Sequence, residues 1–181
     1  MSDQPETDAP TVLPPPLTAA AADTERHVAR AGWDQPPRMF ALVRNSLLLE
    51  REPSMAEQLT GADPRGYTAV EQEGLPRTND LESLLARVAW PEEVSGAALA
   101  VERIVVPPEA ERDLPAEREA ATEHLAAHPD RRDVRLLVAV TRDGDSVCLL
   151  RQRDHDDDDA VALGKDIAPG LVHALSVTLE D

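Results

Sequence analysis

The sequence predicts an α+β fold, with a mixed or antiparallel sheet of about five strands covered by helices and ending in a C-terminal β-hairpin followed by a helix. Three observations carry this. Residues 134–141 and 146–153 are apolar runs flanking Arg142-Asp143-Gly144-Asp145, where Asp143-Gly144 suits the left-handed dihedrals of a tight hairpin turn. The stretch Ala31-Gly32-Trp33-Asp34-Gln35-Pro36-Pro37-Arg38, running into Met39-Phe40-Ala41-Leu42-Val43, joins a helix stop, a rigid diproline turn and a buried strand. The remaining connections vary in kind, without a glycine-rich strand-to-helix turn or an internal repeat, which disfavours a doubly wound parallel sheet.

Residues 1–18 are rich in Pro, Thr and acids and end near Pro14-Pro15-Pro16, which predicts a disordered tail ahead of a single domain over 19–181. A helix is expected over 19–31, stopped by Gly32, with Trp33 folding back on Val28. Residues 38–43 read as a buried strand, and Asn45 as the N-cap of a helix carrying Leu47, Leu48 and Leu49 that Pro53 interrupts. A further turn with Met55 and Leu59 and a loop marked by Gly61, Pro64 and Gly66 lead to an edge strand over 67–72.

Asp80 caps a helix with Leu81, Leu84, Leu85 and Val88 at helical spacing, ended by Pro91 just after Trp90. Residues 97–106 form the next strand, terminated by Pro107-Pro108, and 114–128 a surface helix closed by Pro129. After the hairpin and the acidic loop 154–159, Ile167, Leu171, Ala174, Leu175 and Leu179 give the last helix its apolar face, with Pro169 in its first turn.

Charge excludes more functions than motifs suggest. With 35 acidic against 18 basic residues the net charge is −17, which repels phosphate backbones and anionic headgroups, so no nucleic acid partner is expected. No apolar run reaches the roughly 20 residues of a membrane span and the N-terminus lacks a secretory signal, which predicts a cytoplasmic protein with no membrane insertion. The single cysteine, Cys148, allows no internal disulfide and no CxxC pair, and its apolar strand predicts a protonated, inert thiol.

Several constellations invite chemistry. Asp154-His155-Asp156-Asp157-Asp158-Asp159 concentrates oxygen ligands, but an EF-hand reading would place Asp159 where glycine belongs and Lys165 where the closing acid belongs. His124 and His128 have the spacing of two zinc ligands, with Leu125 where HExxH has its glutamate. The serines Ser46, Ser54, Ser83, Ser95, Ser146 and Ser176 have no GxSxG setting. No catalytic residue, metal ligand or cofactor is therefore assigned. Arg103, Arg135, Arg151 and Arg153 are a candidate anion-binding face, with internal pairing to Glu102 or the acidic loop as the competing account. Trp33, Arg38 and Trp90 are candidate partner contacts, with burial of both indoles in the core as the competing account.

The segments Gly32-Trp33-Asp34-Gln35-Pro36-Pro37-Arg38, Val70-Glu71-Gln72-Glu73, Ala89-Trp90-Pro91, Ala100-Val101-Glu102-Arg103 and Ala168-Pro169-Gly170-Leu171-Val172 resemble a small uncharacterised family of acidic cytosolic actinobacterial proteins. The resemblance covers most of the chain after the tail and implies no activity. In element order the chain is loosely similar to type III secretion chaperone-like proteins, which implies binding of extended segments and a homodimer. The leading expectation is a noncatalytic accessory protein that binds a protein partner through a sheet or groove edge. One alternative is a small-molecule hydrolase using Glu71, Glu73 and Glu102 with an arginine, and another is a cation-responsive regulator built on the 154–159 loop.

Overall fold

A computed structural model describes residues 14–58, 63–75, 80–106 and 115–180. Six strands form one antiparallel sheet: β1 (Arg38–Arg44), β2 (Tyr67–Glu71), β3 (Gly96–Val105), β4 (Arg132–Thr141), β5 (Ser146–Gln152) and β6 (Ala162–Gly164). Their spatial order is β2-β1-β3-β4-β5-β6, with every neighbouring pair antiparallel. The predicted α+β class and the C-terminal hairpin are observed, and Gly144 takes φ 90° in the tight turn where the sequence asks for it. The sheet has six strands because β6, a three-residue edge, pairs with β5 after the acidic loop. Three residues are too few for an alternation to register in the sequence.

Helices α1 (Pro16–Ala29), α2 (Asn45–Arg51), α3 (Leu81–Leu85), α4 (Arg118–Ala126) and α5 (Pro169–Val177) complete the chain. Alternation along the central strands sends side chains to two separate cores. On one face Met39, Ala41, Ala97, Leu99, Val138, Val140 and Cys148 pack with Leu84 and Leu85 of α3 and Leu175 of α5. On the other, Phe40, Leu42, Ala98, Ala100, Leu137, Ala139, Val147 and Leu149 pack with Leu17, Ala21 and Val28 of α1. At Gly96 an added Cβ would sit 2.3 Å from Val140 O, so glycine lets β3 and β4 approach there.

Four local expectations need correction. Helix α1 begins at Pro16, inside the predicted tail, because Pro at N1 loses no intrahelical donor and Leu17 is buried; residues 1–13 lie outside the described residues. Asn45 is not a cap but the first residue of α2, buried, donating to Asp63 O (2.9 Å) and accepting from Thr68 Oγ1 (2.6 Å). Asp80 does cap α3, accepting from Glu82 N (3.1 Å), but the helix ends at Leu85, well before Pro91. The surface helix spans only Arg118–Ala126, and Leu59, Gly61, Pro107, Pro108 and Leu114 lie outside the described residues.

At the hairpin end, Arg142 ties the opposite face together. Its guanidinium donates to Val94 O (2.8 Å), Trp90 O (3.2 Å), Pro91 O (3.1 Å) and Leu179 O, placing a cation at the carbonyl end of α5 where the helix dipole favours it.

Candidate functional site

Gly32 takes φ 85° and stops α1, with Ala31 and Gly32 N–H donating to Val28 O and Ala29 O (3.2 and 3.1 Å). The residues that follow fold down onto the α1 face of the sheet. Gln35 Nε2 donates to Val28 O (2.9 Å) and Gly32 O (2.6 Å), while the backbone N–H groups of Asp34 and Gln35 donate to the two carboxylate oxygens of Glu102 (2.8 and 2.9 Å). Asp34 holds φ 65°, a conformation aspartate tolerates better than most residues.

Charged groups gather beneath this turn. The Arg135 and Arg153 guanidinium carbons lie 4.4 and 5.7 Å from the centroid of the Trp33 ring, whose Nε1 donates to Asp156 Oδ2 (3.0 Å). Arg135 is almost wholly buried and donates to Gly32 O and, at 3.4 Å, to Glu102; its Nη1 has no hydrogen-bond partner among the described residues. Arg153 grips both oxygens of Asp34 (2.9 and 3.0 Å). Arg151 meets the buried Glu25 of α1 (2.5 Å), Asp156 (2.9 Å) and Asp158 (2.5 Å).

These pairs set the protonation states. Burial works against the charge on Arg151, but the bonds from Glu25, Asp158 and Asp156 outweigh it and raise its pKa above the ordinary value. The Trp33 N–H, reinforced by Arg151, lowers the pKa of Asp156, and Arg153 lowers that of Asp34. Burial pushes the Cys148 thiol up, consistent with a packed, unreactive sulfur.

The structure places the candidate residues in contrasting ways. Arg135, Arg151 and Arg153 share the α1 face, while alternation along β3 sends Arg103 to the opposite one, where it is exposed. Internal carboxylates take up Arg151 and Arg153. Trp33 and Arg38 lie on the α1 face; Trp90 packs on the other core and donates Nε1 to Thr178 Oγ1 (3.0 Å), so the two indoles are half-buried on opposite sides. In the acidic loop Asp156 and Asp158 turn to Arg151, and Asp157 accepts from Asp159 N (3.0 Å). His128 Nδ1 accepts from Asp130 N (3.1 Å). Among the described residues no three His, Cys, Asp or Glu side chains gather as a metal site.

A second feature of the α1 face has no counterpart in the sequence reading. Between α1 and strands β1 and β2 lies a cavity of about 410 Å³ with Phe40 and Ala69 among its walls and Asp23, His27 and Glu71 at its polar positions. Glu71 accepts both bonds of a bidentate Arg38 (2.5 and 2.8 Å), which lowers its pKa. The register of β2, the outermost strand of the sheet at this end, fixes what its outer edge offers. Gln72 N–H donates to Met39 O (2.8 Å) and Asn45 N–H to Gly66 O (2.9 Å), so Thr68 and Val70 pair with β1 while the N–H and C=O groups of Tyr67, Ala69 and Glu71 point away from it. The side chains of those same three residues line the cavity. The sequence did hold one signal, since Asp23 and His27 stand four apart on one helical face, but nothing in it says that β2 lies opposite.

The family described as PPA1309-like protein matches residues 17–180. The chain belongs to this family. The match runs from the first turn of α1 past the end of α5 and so takes in both the charged turn and the cavity. No curated protein and no solved structure matches the chain.

Proposed function

We propose that the protein is a noncatalytic, cytoplasmic accessory protein, chaperone-like in action, that holds an extended segment of a protein partner against the outer edge of β2. One observation carries the reading: the three residues whose backbone groups face outward at that edge also supply side chains to the cavity. A strand added there would gain main-chain hydrogen bonds, and its alternate side chains would enter the groove beside α1, the mode by which sheet edges capture peptides. The edge at β6 is less suited, being three residues long and preceded by the acidic turn. The enzyme reading has less support, because Glu71 is held by Arg38 and Glu102 by two backbone amides and Arg135, leaving neither free as an acid or base.

Ala69→Pro tests the proposal directly. Among the described residues the Ala69 N–H bonds nothing within the sheet, so proline at this edge position removes the outward donor and circular dichroism should show an unchanged fold. Affinity capture from the native cytoplasm should yield a stoichiometric protein partner with the wild-type chain and lose it with the variant. Equal capture by both chains, or clean isolation with a copurifying metabolite, overturns the proposal.

A further inference from the structure

We infer that the segment held at β2 is basic, and that one of its Lys or Arg side chains enters the cavity between α1 and β2 with its charge toward Asp23; this rests on the β2-edge reading above.

The cavity has the build of a receptor for a long side chain with a charged tip. Its volume, about 410 Å³, falls in the range of about 300–1,000 Å³ usual for small-ligand sites. Ala20, Phe40 and Ala69 present apolar surface for an aliphatic stem, and Asp23 stands among the polar lining. Arg38 and Arg44 already lie over the Phe40 and Tyr67 rings, 5.7 and 5.2 Å from their centroids, which leaves Asp23 rather than an aromatic face as the partner for an incoming charge.

Of the two carboxylates, Asp23 is the one able to change partners. Glu71 has both oxygens engaged by Arg38, whose side chain is largely covered. Among the described residues Asp23 pairs only with Arg26, three residues on, and the side chains are 80% and 52% exposed. Such an exposed pair is worth little, so an incoming ammonium or guanidinium competes with it readily.

Charge decides the occupant. A second copy of this chain would bring −17 against −17 and an acidic segment would meet the same field, whereas a basic segment is drawn in and oriented.

Synthetic peptides test this with the full chain. Acetylated, amidated Thr-Val-Thr-Lys-Thr-Val-Thr is titrated calorimetrically beside versions with norleucine or glutamate in place of lysine, while the amide resonances of Tyr67, Ala69 and Glu71 are followed. The expected result is binding of the lysine peptide about three- to fivefold tighter than the norleucine peptide at low salt, with the glutamate peptide weakest. Asp23→Asn, a change at an exposed side chain, should erase the lysine preference and leave norleucine binding unchanged. Equal affinity of the lysine and norleucine peptides, or a preference that survives Asp23→Asn, overturns the inference and leaves the edge reading standing. Failure of every peptide to bind or to move the three amides overturns both.

Discussion

Under α5 the sheet meets its helix through apolar side chains, Met39, Leu99, Val138 and Cys148 clustering with Leu175, whereas under α1 the same strands change character along their length. There Phe40, Leu42, Leu137 and Leu149 form an apolar centre, but toward one end β3, β4 and β5 turn to Glu102, Arg135 and Arg151, and toward β2 the packing opens into the cavity. The difference separates energy from placement. Apolar burial is non-directional and supplies most of the driving force, while buried ions lose hydration and repay it only in one geometry. The apolar cores on the two faces therefore hold the molecule together, and the charged end of the α1 face fixes where α1 and the Trp33 turn sit. That position defines the width of the groove over β2.

The largest effect expected from breaking this contrast comes from truncating the apolar cores. Leu99 and Leu137 are both fully buried, on opposite faces, and Leu→Ala at either should cost about 2–5 kcal/mol in urea unfolding. Leu99→Ala should lie at the upper end, because α1 borders a cavity and can settle into lost volume. A cost at Leu137 exceeding that at Leu99 would remove the distinction between the faces.

Next in size is the buried pair. Glu25→Ala leaves the buried Arg151 with only the half-exposed Asp156 and exposed Asp158, and should destabilise by about 3 kcal/mol. The double change Glu25→Leu with Arg151→Met should recover most of that loss while loosening α1, seen as faster amide exchange through 20–28. A double variant as unstable as Glu25→Ala alone would mean that the pair contributes energy as well as position.

The smallest effect is on pH dependence. Asp34, Glu71 and Asp156 all have pKa values lowered in the fold from ordinary values of 3.8, 4.5 and 3.8. Their stabilisation is complete above those ordinary values and is lost as pH falls through the lower folded values, because the unfolded chain binds protons first. Unfolding midpoints should hold steady from pH 7 to about 5 and fall below about 4, less steeply in Asp156→Asn. An unchanged acid limb in that variant would show that the Trp33–Asp156–Arg151 chain adds no linkage.

Much of the fold was legible because its signals are local. The strands around Phe40, Ala98 and Val138 announce themselves as apolar runs, the hairpin through Asp143-Gly144, and the end of α1 through Gly32. Boundaries slipped where tertiary contacts overrode local cues: Leu17, buried against the sheet, draws the helix back to Pro16, and Asn45 is used to pin the 63–68 turn. The candidate site was legible only in its ingredients. Arg135, Arg151, Arg153, Trp33 and Glu102 stood out as residues of interest, and pairing of the arginines with Glu102 or the acidic loop was one of the two accounts the sequence offered; Glu25, 126 positions from Arg151, and Asp156 as the partner of Trp33, 123 positions away, were not legible.

By itself the sequence determined the α+β class, the hairpin, the helix stop at Gly32 and the acidic character of the surface, because periodicity, turn chemistry and net charge are properties of neighbouring residues or of composition. The order of the strands, the side of the sheet that α1 covers, the pairing of each arginine and the cavity beside β2 were decided by the tertiary structure. Each depends on which distant segments lie side by side, and the pairing of strands across the sheet that brings them there is fixed only when both faces are buried together.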